Sequence, residues 1–292
     1  MWGAIEGGGT KFLCAVGRDH EHVIARRRVS TSDPESTLRD ILEFFEPFGA
    51  QLRGLGVATF GPLDLTPGPS HGSLLVSPKH GWSGFPLRAR LDAALDIPVT
   101  IDTDVNAAAL AEQRWGALRD ADPAVYVTVG TGVGVGVVIG QRPLHGLMHP
   151  ELGHMRSTDR TFRGHCPFHG ACVEGLISAP ALRERTGQAP EALSSEHPIW
   201  RRVADTLAEL LHAIVLAYSP RRIVLGGGVL ERPGLLQQTQ QALVQSLAGY
   251  VSRAELRWPA VERYLVAPGL ALPAGLCGAF ALAMQDHALR ST

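Results

Sequence analysis

One short pattern occurs twice in this chain: an apolar strand, a glycine–threonine turn and a second apolar strand. Residues 3–6 run into Gly7-Gly8-Gly9-Thr10-Lys11 and then into the apolar run 12–16. About 120 residues later, 125–129 run into Gly130-Thr131-Gly132-Val133-Gly134-Val135-Gly136 and then into 137–139. Apolar runs on either side of a glycine turn predict a hairpin. A hairpin that recurs at this distance predicts a duplicated α/β fold with one hairpin in each half. At 292 residues the chain has room for two such domains, expected at 1–115 and 116–292. The last helix is free in this reading to pack back on the first domain.

The other elements fit an α/β reading. Ser32-Asp33-Pro34-Glu35-Ser36 opens a helix with Leu38, Ile41, Leu42 and Phe45 on one face. Residues 55–60 read as a buried strand, and 99–102 as a strand entering a helix at 105–115. Residues 62–86 are rich in Pro, Gly, Ser and His, which predicts a long loop that is functional or mobile. Residues 141–180 form an irregular His/Cys-rich insertion, 200–218 an amphipathic helix, and 222–225 a strand ending in Gly226-Gly227-Gly228.

Charge narrows the function classes. The net charge is -1 with no concentration of Lys and Arg, so no nucleic-acid or membrane-surface partner is expected. The first residues carry no signal-type apolar region, and no apolar run approaches the roughly 20 residues of a spanning helix. A cytoplasmic protein is expected. Four cysteines over this length do not make a disulfide framework.

Three sets of residues carry candidate chemistry. Glycine turns let successive backbone N–H groups point into one concavity that suits phosphate oxygens. Thr10 and Thr131 add hydroxyls there and Lys11 adds a positive charge, although neither G-x-x-x-x-G-K-[ST] nor G-x-G-x-x-G is present. Asp102 and Asp104 stand where a strand meets a helix start. Either is a carboxylate that could accept a proton, and Asp104 reads equally well as an ordinary helix cap. Third, Cys166, His169 and Cys172 fall at intervals of three, with His154 upstream, inside a segment holding five of the twelve histidines. Two thiolates and two imidazoles suit closed, tetrahedral, structural zinc.

The series GGGTK, TDVNAAALAE, TVGTGVGVGV, HPELGH and IVLGGGV, taken in order, resembles the repressor–open reading frame–kinase (ROK) family, specifically its zinc-containing bacterial fructokinase branch. The resemblance spans nearly the whole chain. It implies a duplicated actin-like, ribonuclease H-like ATPase fold of two domains flanking a cleft, and an ATP-dependent hexose kinase using Mg2+ and structural Zn2+. It makes Asp104 the general base and Thr103, Asn106, Glu151, His154 and Glu174 sugar contacts. Gly8, Gly9, Thr10, Lys11, Thr131, Gly132, Gly134, Gly226, Gly227 and Gly228 become nucleotide contacts, and His154, Cys166, His169 and Cys172 the zinc ligands. Glu6 stands where the family usually has an Asp thought to hold magnesium through water. The resemblance also implies a homodimer.

Thr103 stands where the family's glucokinases usually carry Asn, which tilts the substrate from glucose towards fructose. Mannose, glucose and N-acetylmannosamine are the alternatives, and a non-catalytic sugar sensor is a further one. Trp82 reads either as a platform for a sugar face or as packing. A repressor of the same family needs a DNA-binding segment before GGGTK, and that motif begins at residue 7.

Overall fold

Alternation along the first strands sorts their side chains onto two faces with different jobs. The structure is a computed structural model describing residues 1–77 and 79–290, without the side chains of 286–290. Pro78, in the long loop, and residues 291 and 292, within the expected second domain, lie outside the described residues.

The chain opens with β1 (Trp2–Gly7), β2 (Lys11–Gly17) and β3 (Val23–Ser30), an antiparallel meander. Helix α1 (Pro34–Phe45) follows, capped by Asp33, whose carboxylate accepts the Ser36 N–H at 2.9 Å. Then come β4 (Leu55–Thr59), the short pair β5 (Leu63–Asp64) and β6 (Ser73–Leu74), α2 (Leu87–Leu95), β7 (Val99–Thr103) and α3 (Asp104–Trp115). β4 lies parallel to β1, and β7 parallel to β4, giving the order β3-β2-β1-β4-β7.

One face of this sheet carries large residues. Ile5, Cys14, Val16 and Val57 pack with Leu38, Ile41, Phe44 and Phe45 of α1. The other face is nearly all alanine: Ala4, Ala15 and Ala58 meet Ala107, Leu110 and Ala111 of α3. That small-residue face also takes Leu276, Cys277, Ala279 and Phe280 from the last helix of the chain, α9 (Ala274–Arg290).

The second hairpin is β8 (Ala124–Val129) and β9 (Val133–Ile139), followed by the two-residue β10 (Arg142–Pro143). Next come α4 (Val173–Ile177), α5 (Ala179–Thr186), the long α6 (Ile199–Tyr218), β11 (Arg222–Gly226), α7 (Leu235–Leu247), α8 (Val261–Tyr264) and β12 (Leu265–Val266). β11 runs parallel to both β8 and β12. An antiparallel hairpin flanked by parallel strands is thus built twice, as the repeated motif predicts. No helix among the described residues is long and apolar enough to cross a membrane.

Two compact units result. The first joins Met1–Gly116 and Gln141–Pro150 to the segment from Leu270 onward; the second is Ala117–Gly140 with Glu151–Gly269. The return of α9 to the first unit is the packing that the expected cut at 115/116 leaves open; the return of 141–150 differs from it. α9 leaves the second half because the alanine face of the first sheet buries it. The expected insertion at 141–180 divides at Pro150/Glu151, because His145 and His149 bond to Asp102 and to the Leu63 N–H in the first unit. The long loop at 62–86 also differs from its mobile reading. Leu63, Leu65, Leu74, Trp82 and Phe85 are all in the core.

Candidate active site and metal centre

In the first unit the candidate groups gather at the C-terminal ends of β1, β4 and β7. Thr103 is extended (φ -64°, ψ 152°) and caps α3, its hydroxyl oxygen accepting the Asn106 N–H at 3.2 Å. Asp104 is therefore not the cap but the first helical residue. Its Oδ1 accepts the Val105 N–H at 2.8 Å.

Asp102, the competing carboxylate, is committed elsewhere. Its Oδ1 accepts from the Thr103 N–H (2.7 Å) and the Asn106 Nδ2 (2.8 Å), and its Oδ2 lies 2.9 Å from His145 Nε2. Buried and held on both oxygens, Asp102 orients Asn106 and His145 and has little capacity left for substrate. The Asp102 hydrogen bond raises the His145 pKa above the usual imidazole value, against the opposing effect of burial.

Burial pushes the Asp104 carboxyl up to about 6, partly opposed by the N–H groups at the helix start. Burial, and then repulsion from Asp104, pushes Glu6 up to about 7, against Lys11 and the Leu276 N–H of α9. Gly275 makes room for this glutamate, since a Cβ there would stand 2.6 Å from Glu6 Oε1. Three buried polar atoms at this edge, Glu6 Oε2, Thr59 Oγ1 and Asn106 Oδ1, have no hydrogen-bond partner among the described residues. Such orphans mark a place built for a ligand. An unpartnered buried carboxylate oxygen at Glu6 fits a hydrated divalent cation.

The turn between β1 and β2 is closed by the Gly8 N–H on the Lys11 carbonyl (2.8 Å) and braced by the Thr31 hydroxyl on the Gly8 carbonyl (2.8 Å). Gly9, Thr10 and Lys11 are exposed. The N–H groups of Gly9 and Thr10 have no partner among the described residues, as an anion-binding turn requires.

In the second unit, the turn between β8 and β9 is closed by the Gly130 N–H on the Gly132 carbonyl (2.9 Å) and leaves Thr131 exposed. Glu174 Oε2 accepts the Val133 N–H at 3.0 Å, and a Cβ on Gly132 would collide with that oxygen at 2.7 Å. Gly134 lies within β9. After β11, Gly227 adopts φ 96°, and a Cβ there would lie 2.4 Å from the Val129 carbonyl. The 226–228 segment thus presses on the end of β8, with Gly228 exposed.

His154, Cys166, His169 and Cys172 come together, with one ligand atom of each within 4.8 Å of all the others. His154 Nδ1 is 3.7 Å from both sulfurs, and His169 Nδ1 is 3.7 Å from Cys166 Sγ. The knuckle closes through the Gly170 N–H on the Cys166 carbonyl (3.0 Å), with Gly170 at φ 58°. Cys172 also caps α4. Burial pushes its thiol up to about 11, so the group is a neutral thiol unless a bound cation favours the thiolate. Two thiols and two imidazoles at these separations fit a tetrahedral metal ion.

The other nitrogen of His154, Nε2, lies 4.0 Å from Glu174 Oε1. Cluster and carboxylate are therefore linked through one ring. Glu151 is exposed and opens the 3-10 turn Leu152–His154, its carbonyl accepting the His154 N–H at 3.0 Å. His165, next to Cys166, turns instead to Glu184 at 2.5 Å.

Trp82 is not a sugar platform: it is 1% exposed and stacks on Phe12. Residue spacing also passed over His145, whose link to Asp102 joins segments far apart in sequence. No local pattern could have shown it.

The ROK family profile matches residues 2–286, and the chain belongs to that family. Among curated relatives, the fructokinase of Zymomonas mobilis is 41% identical over 97% of this chain and 96% of its own length. The fructokinase of Pediococcus pentosaceus is 34% identical over 97% of each chain. Among solved structures, a ROK hexokinase from Thermus thermophilus has a TM-score of 0.78 at 29% identity, covering 99% of both chains. The fold is the actin-like ATPase fold of the ROK sugar kinases, with one hairpin in each of its duplicated halves.

Proposed function

We propose that this chain is an ATP-dependent fructokinase forming fructose 6-phosphate, with Asp104 as the general base. The observation that carries the assignment is the division of labour between neighbouring carboxylates. Asp102 is spent on Asn106, His145 and the backbone, while Asp104, among the described residues, bonds only at the helix start and remains able to take a proton. The relatives named fructokinase support the sugar, as does Thr103 in place of an amide.

In this reading the C6 hydroxyl oxygen of fructose bonds to the γ-phosphorus as its proton passes to Asp104. The bond from that phosphorus to the bridging oxygen breaks, and ADP leaves with the electron pair. Asn106, Glu151, His154 and Glu174 orient the sugar hydroxyls, and Thr103 sets the shape beside them. The exposed N–H groups at Gly9 and Thr10, with Lys11 and with Gly8 shaping the turn, take phosphate oxygens in the first unit. Thr131, Gly132, Gly134 and Gly226, Gly227 and Gly228 serve the nucleotide in the second. Magnesium, held through water by Glu6, would neutralise phosphate charge. Zinc at His154, Cys166, His169 and Cys172 would fix the ring that faces Glu174.

The same reading makes the protein a cytoplasmic homodimer. The two thiolates of the cluster call for a reducing compartment, and the subunit count rests on the family.

A coupled ADP-release assay over fructose, glucose, mannose and N-acetylmannosamine tests the assignment. Fructose should give the highest kcat/KM, and Asp104→Asn should lower kcat by roughly 10²–10⁴-fold while nucleotide affinity is kept. A preference for another hexose would remove fructose from the proposal. Near-native turnover by Asp104→Asn would remove the base.

A further inference from the structure

Trp82 does more than fill the core. Its ring stacks on Phe12 at 5.5 Å and 18°, and its indole N–H donates to the Ser32 carbonyl at 2.9 Å. Phe12 is the second residue of β2, directly behind the 7–11 turn. The loop carrying Trp82 is therefore nailed to the back of the turn assigned to phosphate.

What the loop presents there is Lys79. The Trp82 N–H donates to the Lys79 carbonyl (3.2 Å), and the Lys79 N–H donates to Ser77 Oγ (3.2 Å). Ser77 and Ser83 tie the two ends together, the Ser77 N–H donating to Ser83 Oγ at 3.0 Å and the Ser83 hydroxyl to the Ser77 carbonyl at 3.2 Å. The Lys79 stem reaches to Gly9, where its Cε lies 3.7 Å from the position a Cβ would occupy. Lys79 is half-buried, and no carboxylate pairs with it among the described residues. A positioned cation with no anionic partner, beside unpaired N–H groups, suits a phosphate group.

Which phosphate it meets follows from position. Lys79 reaches the turn that follows β1, and β1 ends at the same sheet edge as Glu6 and Asp104. Of a nucleotide's phosphates, the terminal one must approach the acceptor hydroxyl and hence Asp104. We propose that Lys79 is a catalytic residue that holds the γ-phosphoryl group of ATP during its transfer. Its ammonium takes up charge on the non-bridging oxygens and neither gains nor loses a proton. The proposal rests on the assignment of the 7–11 turn to the nucleotide's phosphates.

The test compares binding of Mg2+ with AMPPNP and with ADP, by calorimetry, in the wild type and in the Lys79→Ala, Lys79→Arg and Thr10→Ala variants. Lys79→Ala should weaken AMPPNP about tenfold and ADP less than about twofold. It should lower kcat roughly 10²-fold with the fructose KM unchanged, and Lys79→Arg should recover part of the loss. Equal losses for both nucleotides, or a rise in fructose KM alone, would overturn the proposal. If Thr10→Ala weakens both nucleotides and Lys79→Ala weakens neither, Lys79 fails while the turn assignment stands. If Thr10→Ala changes neither affinity, the turn assignment fails and the proposal falls with it.

Discussion

Glu6 and Asp104 sit where burial works against their charge, and the direction of that effect can be followed to two measurements. A proton acceptor must be ionised, so kcat/KM should fall as pH drops through about 6, where Asp104 takes up its proton. A pH–rate profile of the free enzyme with no acid limb near that value would contradict the assignment. Stability runs the other way. Both folded-state values, about 7 for Glu6 and about 6 for Asp104, lie above the unfolded carboxylate range. The folded chain thus binds these protons more tightly, and their favourable contribution, full below about pH 4, is lost as pH rises through 6 to 7. Glu6→Gln should therefore raise the melting temperature at pH 8 by several degrees, an order of 1–3 kcal/mol, with the gain vanishing near pH 4. Thermal melts at the two pH values check this. An equal shift at both would mean that packing, rather than charge, is responsible.

At the scale of elements, α9 lies on β1, β4 and α3 through residues so small that backbones nearly touch. A Cβ on Gly56 of β4 would stand 1.8 Å from the Ala279 carbonyl, and one on Gly278 would meet the Ala107 backbone at 2.3 Å. Gly56→Ala should destabilise the chain by roughly 1–3 kcal/mol, read as a lowered denaturation midpoint, because neither backbone can yield cheaply. An unchanged midpoint would show that α9 shifts freely. The same packing explains what was legible in advance. Hairpins, α1, α3 and α6 follow from alternation, caps and helical periodicity, all of which are local. That the last helix can join the first domain is open to a reading of the sequence, but that it does so on this sheet face depends on alanines and glycines matching across the chain, and small residues carry little periodic signal. The site divides the same way. The Cys166–Cys172 spacing announces a metal centre, whereas the Asp102–His145 pair and Lys79 against Gly9 exist only after folding. Trp82 shows the limit from the other side, since an aromatic in a polar loop reads alike as a platform or as an anchor.

For the molecule as a whole, the Cys/His cluster proposed to hold zinc would join stability to function through one imidazole. His154 offers Nδ1 to the cluster and turns Nε2 towards Glu174, and Glu174 in turn holds the Val133 N–H behind the 130–132 turn. Besides the cluster, the 155–172 segment is held by the Val173 N–H on the Met155 carbonyl (2.9 Å), the His165 N–H on the Gly175 carbonyl (2.8 Å), and side-chain ties such as Arg185 to Asp159 (2.9 Å) and the Thr158 N–H to Glu209 (2.9 Å). A metal bridging residue 154 to residues 166–172 closes that loop, so its binding energy becomes folding energy for the segment. Stripping it with a chelator, with the loss verified by elemental analysis, should open residues 156–171 to limited proteolysis and lower the melting temperature. The fructose KM should rise at least several-fold, because Glu174 and His154 lose their fixed geometry together, and added zinc should restore both readouts. ADP binding should change less: it weakens only through the 130–132 turn that Glu174 braces, while the contacts at Gly8–Lys11 lie in the other unit. If proteolysis appears but the KM stays constant, the cluster is a clip for the loop alone, and His154 and Glu174 do not contact the sugar.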